Sequence, residues 1–343
     1  MPKKPTLRDI AEYADVALST VSQALNNKPG VSPEMRQHIL EVAQKLGYRQ
    51  KIVVEAPLTS DIKTIGLLTK RRHDDPPLIN PFYSQIIAGA ERECSRHGIS
   101  LMYANVEVDE NSHAIALPAM LLDERVDGVI VVGAFLEETI SHISKRAGQN
   151  LVFVDAYTNL NSTFDSVLID NVEGASVAVT HLLDMGHHHI ALVGSNTSSY
   201  PSIHERRTGY LNVVNQHNLE PLIIESPLTR RAGYEAAKEI MHTHAEVTAI
   251  FACNDAVAFG VLNALQDEGL SVPEDMSVVG FDNIDLAQVV SPALTTIHVD
   301  KVMMGAMAVR HLRERALDPE RTSLKTLITT QLIERDSVEK IDV

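Results

Sequence analysis

Residues 6–26 read TLRDIAEYADVALSTVSQALN, and the spacing of their apolar positions decides how the chain begins. Leu7, Ile10, Ala11 and Ala14 recur at i, i+3, i+4 and i+7, giving one apolar face of a helix. Thr6 precedes that face as an N-cap, and Asp9 three residues on completes a capping-box-like pattern. A second helix over residues 18–25 keeps only Val21, Ala24 and Leu25 for the interior and turns Ser19, Thr20, Ser22 and Gln23 outward, a face able to donate and accept hydrogen bonds. Only Asp15 and Val16 separate the two, so the helices must cross steeply, as in a helix-turn-helix. Asp15 stands where such a turn wants left-handed backbone, which Asp tolerates better than most residues. A third helix follows, with Ser32 as cap, Pro33 at its first position, Ile39, Val42, Ala43 and Leu46 at helical spacing, and Gly47 as its stop.

The charge distribution sets this head apart. The 343 residues carry a net charge of −15, which by itself argues against a nucleic-acid partner. Residues 1–51, however, hold eight Lys/Arg against five Asp/Glu, a net of +3, leaving −18 on the remainder. A basic module ahead of an acidic body is the asymmetry to explain. At 44% hydrophobic residues the chain has material for two or three domains. Two cysteines are too few for a disulfide framework, and no stretch approaches a membrane span or an exported leader, so a cytoplasmic protein with no membrane partner is expected.

Residues 6–14, residues 16–26, Gly30-Val-Ser32 and Leu46-Gly-Tyr-Arg49 together resemble the DNA-binding head of the LacI/GalR family of transcriptional regulators. The resemblance implies a recognition helix starting near Ala17, with Leu18, Ser19 and Gln23 reading bases. Thr20, Ser22 and Asn26 would face phosphates, and Thr6 and Lys28 complete the expected contacts in the head. Ala17 replaces the family's usual Ser, and Gln23 replaces an Arg that often pairs with guanine. A Gln amide pairs bidentately with adenine, so operator preference should shift there. In relatives the next stretch folds on DNA into a hinge helix whose leucine wedges into the minor groove. Here it reads Val54, Glu55 and Pro57; Glu55 is repelled by phosphate and Pro57 interrupts a helix. Leu58, one position late, is the only wedge-sized residue near, and a flexible tether over 51–61 is expected.

Beyond Thr64, short apolar runs alternate with helical patterns: residues 65–68, 100–103, 128–132 and 151–154, then 190–193, 222–224, 249–252 and 277–281. Such alternation predicts doubly wound parallel sheets covered on both faces, here in two lobes. Ligands of open parallel sheets sit beyond the carboxyl ends of the strands, so the first polar residues after each run are the candidates. These are Asn80-Pro-Phe-Tyr83, Asp155, Thr197 to Tyr200 with Arg206, Asn254-Asp255 and Asp282-Asn283. Acids, amides, an Arg and aromatic rings suit a polyhydroxylated or heterocyclic small molecule.

The same segments resemble the family's periplasmic-binding-protein-like effector domain over residues 62–337. The resemblance implies chain crossovers near 156–160, 297–300 and 325–329, a tail at 338–343, and effector contacts by Asp155, Arg206, Asn254 and Asp282; Phe82, Tyr83, Ser199 and Asp255 join them as ligand contacts expected from their places beyond the strand ends. Val132 stands where lactose-type relatives carry Asn and Leu228 where they carry a stacking Trp, which disfavours a lactose-like ligand. His187-His188-His189 enter a strand on alternating faces and should not chelate a metal together. Asp74-Asp75-Pro76-Pro77 reads as a solvated loop. With no nucleotide-binding glycine pattern and no activated nucleophile, no cofactor, metal or enzymatic activity is expected.

The combined expectation is a ligand-responsive repressor of carbohydrate or small-metabolite genes. It would bind a palindromic double-stranded operator as a homodimer, with effector-driven lobe closure setting DNA affinity. The effector would be a sugar, sugar phosphate or nucleobase-like molecule. A sugar-binding transport protein or an enzyme on the same α/β fold is the alternative.

Overall fold

The computed structural model describes residues 6–25, 30–46, 62–72 and 80–341. The chain divides into a unit up to Thr59 and a second from Ser60 onward. In the first, α1 (Leu7–Tyr13), α2 (Leu18–Leu25) and α3 (Pro33–Lys45) enclose Ile10, Val21 and Ile39 completely, with Ala14, Ala24 and Ala43 filling the gaps. Thr6 closes a full capping box: its Oγ accepts from Asp9 N at 3.4 Å while its own N–H donates to the Asp9 carboxylate at 2.6 Å. Asp15 adopts φ 53°, the left-handed turn that lets two helices meet across so short a link. Arg36 of α3 donates to the Ala24 carbonyl at 2.8 Å, fixing α2 from behind.

The second unit holds the strands β1 (Thr64–Arg72), β2 (Ser100–Val108), β3 (Ala114–Ala116), β4 (Gly128–Val132), β5 (Leu151–Val154), β6 (Asp165–Ile169), β7 (Ile190–Ser195), β8 (Leu222–Glu225), β9 (Ala249–Ala252), β10 (Ser277–Asp282), β11 (Thr295–Val299), β12 (Lys325–Ile328) and β13 (Thr330–Ile333). Between them run α4 (Pro81–Arg96), α5 (Ala119–Leu122), α6 (Glu137–Ala147), α7 (Asn171–Asp184), α8 (Pro201–Gln216), α9 (Arg230–Thr243), α10 (Asp255–Asp267) and α11 (Lys301–Leu317). Among the described residues these strands make two sheets, ordered β12-β6-β5-β4-β1-β2-β3 and β13-β11-β10-β9-β7-β8. All pairings are parallel except those of β3 with β2 and β13 with β11. Strands β4, β5 and β9 are buried at every position because helices cover both faces, which explains why they read as unbroken apolar runs.

The chain passes between the sheets after Ile169, after Val299, and between Ile328 and Thr330. The first passage lies some ten residues beyond the 156–160 expected from sequence, because residues 165–169 form an extra strand paired with both β5 and β12. Residues 338–341, expected as a tail, are tied down: Glu339 N donates to Ser277 Oγ at 3.0 Å and Ile341 N to the Met185 carbonyl at 2.9 Å. Helix α11 follows the second passage and lies against α4. Gly89 and Gly305 permit that approach, since a Cβ on either would overlap a carbonyl oxygen of the facing helix, Val302 and Ile86 respectively. The start of α11, with buried Lys301, is thereby held at the junction of the lobes.

Candidate effector cavity and nucleic-acid interface

The carboxyl ends of both sheets face a cavity of about 490 Å³. Phe82, Tyr83 and Asp155 reach it from one lobe, and Arg206, Asn254, Asp255 and Asp282 from the other. Asn80 positions the aromatic pair by capping α4, its Oδ1 accepting from Phe82 N at 2.9 Å with Pro81 at the first helical turn. The two rings meet edge to face at 5.6 Å.

Arg206 is the hub of the far wall. Its Nε donates to Asn171 Oδ1 at 2.9 Å, its Nη1 to the Cys253 carbonyl at 2.6 Å, and its Nη2 lies 3.1 Å from Asp282 Oδ1. The guanidinium also stacks 3.7 Å above the Phe281 ring. Asn171 in turn donates to Glu205 at 3.0 Å, which accepts at 2.6 Å from Tyr157 OH of the other lobe. Asp282 sits at φ 107° and Asn283 at φ 49°, a turn held by Lys301 Nζ, which donates to the carbonyls of both. Asp155 likewise has a left-handed backbone at φ 50°. Such conformations are sustained where surrounding structure fixes a side chain for use.

Burial raises the Asp155 and Asp255 carboxyls, each to about 7, with Asp282 adding repulsion to both and Arg206 opposing the rise at Asp155. Asp282 is also raised by burial, against the pull of Arg206 and Lys301. The oxygens of Asp255 are already engaged: Oδ1 accepts from Thr296 Oγ1 at 2.6 Å and Oδ2 from Ile284 N at 2.8 Å. Asn254 uses its Oδ1 to cap α10, accepting from Val257 N at 2.9 Å, so its amide N–H groups are what it can offer a ligand.

Among the expected candidates, Thr197, Ser198, Ser199 and Asn283 do not line the cavity, and Ser199 was the one expected to contact the ligand. Its hydroxyl accepts from Asn196 N at 3.0 Å within its own loop. Tyr200, also a candidate from sequence, does line the wall, and Ser202 in the first turn of α8 joins it. Lys70 and Arg230 also line it and were not read from sequence. Lys70 lies two residues before the end of β1, whose run of buried positions shows no alternation, and Arg230 is the first residue of α9. Lys70 Nζ donates to Tyr200 OH at 3.2 Å and Gln85 Nε2 to Asp285 Oδ1 at 2.9 Å, two contacts across the lobes. Of the three consecutive histidines, His187 is buried between Thr248 Oγ1 at 2.9 Å and the Glu339 carbonyl at 3.0 Å, while His188 and His189 are exposed.

In the head, Ala17 is exposed just before α2, Leu18, Ser19 and Gln23 are exposed along it, Thr20 and Ser22 are half-buried beside them, and Thr6 is exposed at the start of α1. Asn26, Lys28 and Leu58, the linker over 51–61, and the loop Asp74 to Pro77 lie outside the described residues.

Residues 6–51 match the family model for bacterial regulatory proteins of the lacI family, and residues 179–338 that for a periplasmic binding protein-like domain. The chain is 30% identical over 340 residues to the HTH-type transcriptional repressor PurR of Vibrio campbellii, covering 98% of this chain and 99% of that one. The chain belongs to the lacI family. This lacI-family protein is also 31% identical to catabolite control protein A of Priestia megaterium, over 90% of this chain and 91% of that one. It is 29% identical to the ribose operon repressor of Haemophilus influenzae, over 97% and 98%. Among solved structures it superposes on a ribose-bound LacI family regulator of Enterococcus faecium with TM-score 0.70, at 27% identity, over 82% of this chain and all of that one. The lac repressor dimer bound to operator and the anti-inducer ONPF gives TM-score 0.68 at 25% identity, over 98% and 100%. The lacI-family chain is thus a DNA-binding transcriptional regulator and not an enzyme. Among the described residues no helix is long and apolar enough to cross a membrane.

Proposed function

We propose that this regulator acts in the cytoplasm as a homodimeric repressor of carbohydrate or small-metabolite genes, and that a small polyhydroxylated effector in the cavity sets its affinity for a palindromic operator. The observation that carries this reading is the composition of the cavity wall. Asp155 from one lobe and the Arg206–Asp282 pair from the other face the same space, so a ligand bound there contacts both lobes and favours one relative placement of them over others. Such a ligand has the differential affinity that a population shift requires. The Haemophilus relative is named for the ribose operon, and the Enterococcus structure holds ribose, which supports a sugar.

Residues 1–50 would carry DNA binding, 51–61 the tether, and the remainder effector binding and dimerisation. Two heads are needed because one buries too little DNA for a typical specific affinity, and two on a palindrome fix half-site spacing. Leu18, Ser19 and Gln23 would read bases, Thr20, Ser22 and Asn26 would face phosphates, and Thr6, Ala17 and Lys28 would complete the DNA contacts of the head. The test is a thermal-shift screen of sugars, sugar phosphates and nucleobases on the whole protein, followed by fluorescence anisotropy on operator DNA with each compound that stabilises it. A compound that raises the melting temperature and changes operator affinity supports the proposal. Stabilising compounds that all leave operator affinity unchanged would refute it.

A further inference from the structure

We infer that the effector carries a positive charge, and that the class of molecule this cavity takes is an amino sugar; the inference rests on reading the cavity as the effector site. Its basis is a carboxylate oxygen at the cavity wall that no donor among the described residues meets. Asp155, Asp255 and Asp282 line the cavity, with Glu205 behind them at Asn171, and the buried cations that face them are Arg206 and Lys301. Both cations are committed. Arg206 is spent on Asn171, the Cys253 carbonyl and Asp282, while Lys301 donates to the backbone carbonyls of Asp282 and Asn283.

Asp155 is the carboxylate left over. Its Oδ1 is sealed from solvent and meets no hydrogen-bond donor among the described residues. Asp282 Oδ1 has the Arg206 guanidinium at 3.1 Å and yet no hydrogen bond of acceptable geometry. Buried acceptors left in this state cost free energy unless a partner arrives. The cations at the mouth do not supply one: Lys70 is half-buried against Tyr200, and Arg230 is exposed to screening water.

A ligand ammonium placed against Asp155 makes the missing charge-assisted hydrogen bond. Ring hydroxyls can then donate to Asp282 and accept from the Asn254 amide, and a sugar's apolar face can lie on Phe82 and Tyr83. The volume suits a sugar, being within the range of about 300–1,000 Å³ usual for small-molecule sites. A sugar phosphate fares worse, since its charge would meet Asp155 and Asp282 with Arg206 already engaged. The groups facing Asp155 are Tyr83 from α4, Glu205 and Arg206 from α8, Asp282 from β10, and Tyr157 two residues along its own loop. Burial lifts the Asp155 carboxyl to about 7, so an ammonium arriving near neutral pH displaces a proton from it.

The experiment is isothermal titration calorimetry on the full-length protein with three matched pairs, glucosamine and glucose, galactosamine and galactose, mannosamine and mannose, together with glucose 6-phosphate. Each is run at pH 7 in two buffers of different ionisation enthalpy. At least one amine should bind about tenfold or more tightly than its hexose, about 1.4 kcal/mol, and release protons on binding. Asp155→Asn should erase that preference, and the proton release of the unaltered protein gives a second readout should the variant fold poorly. The inference is overturned if each hexose binds as well as its amine, if glucose 6-phosphate binds tightest, if no amine binds at millimolar concentration, or if amine binding releases no proton. An operator response to a neutral or anionic sugar would overturn the charge assignment and leave the proposed function standing. Failure of every ligand that binds the cavity to alter operator affinity would strike the proposed function instead.

Discussion

Replacing Asp155 with Asn should stabilise the ligand-free protein, and more so at high pH than at low. A carboxyl raised in the folded state to about 7 holds a proton that the unfolded chain gives up near 3.8. The folded state therefore binds more protons over that interval, and its stability falls as pH rises. The contribution is fully present below the unfolded value and is lost by the time pH passes the folded one. Three pKa units correspond to about 4 kcal/mol at most, and partial opening of the side chain to cavity water reduces this to about 2 kcal/mol. Asn keeps the shape, carries no charge and escapes this loss. The advantage of Asp155→Asn over the unaltered protein should therefore be about 1 to 3 kcal/mol larger at pH 8 than at pH 5. Urea unfolding of the full chain, followed by far-ultraviolet circular dichroism at the two pH values, measures it. An advantage equal at both, or a variant less stable at pH 8 than the original, would show that Asp155 is ionised without penalty and that the cavity is not short of a cation.

Arg206→Ala should weaken effector binding by about 2 kcal/mol or more, roughly 30-fold, because Asp282, the Cys253 carbonyl and Asn171 each lose a buried partner. Calorimetry with the best ligand of the screen checks this, and unchanged affinity would remove Arg206 from the site. Gln23→Arg should move one position of each half-site from adenine toward guanine by about 1 to 3 kcal/mol, read by binding-site selection; identical selected sequences would show that Gln23 reads no base. Operator affinity should fall steeply with salt, since a head of net +3 must place its cations against phosphate while the −18 body repels DNA, and a flat salt dependence by anisotropy would contradict that. Operator DNA should be bent little at its centre, because Glu55 and Pro57 oppose a wedging hinge helix; a sharp bend by circular-permutation gel shift, lost on Leu58→Ala, would show that the linker uses a shifted register.

What could be read in the sequence was local or periodic. The capping box at Thr6, the left-handed Asp15 and the apolar stripes of the three head helices depend on near neighbours, and they are present as read. The buried central strands were legible because full burial leaves only apolar residues. Strand β6 was not, since Asp165 and Ser166 interrupt its apolar character. The structure explains their presence: Asp165 is fully buried and accepts from Arg315, from Arg321 at 2.7 Å and from Leu324 N at 2.7 Å, a long-range arrangement no local pattern encodes. The short strands β3 and β12 are edge pieces half open to solvent and carry little periodicity. In the cavity, the rule that ligands sit beyond strand ends located residues such as Asp155 and Asp282, because they directly follow or end apolar runs. It misplaced Ser199, whose hydroxyl is taken up by Asn196 within its own loop.

The central claim, that occupancy of the cavity controls operator binding, is tested most directly by DNase I footprinting on DNA selected by the protein itself, with and without a ligand shown by calorimetry to bind. The account expects protection of two symmetric half-sites with adenine at the Gln23-contacted position, and a shift of at least about fivefold in half-maximal protection at saturating ligand, within the usual range of allosteric coupling. Protection without two-fold symmetry, or a footprint whose midpoint does not move when the cavity is saturated, would contradict it.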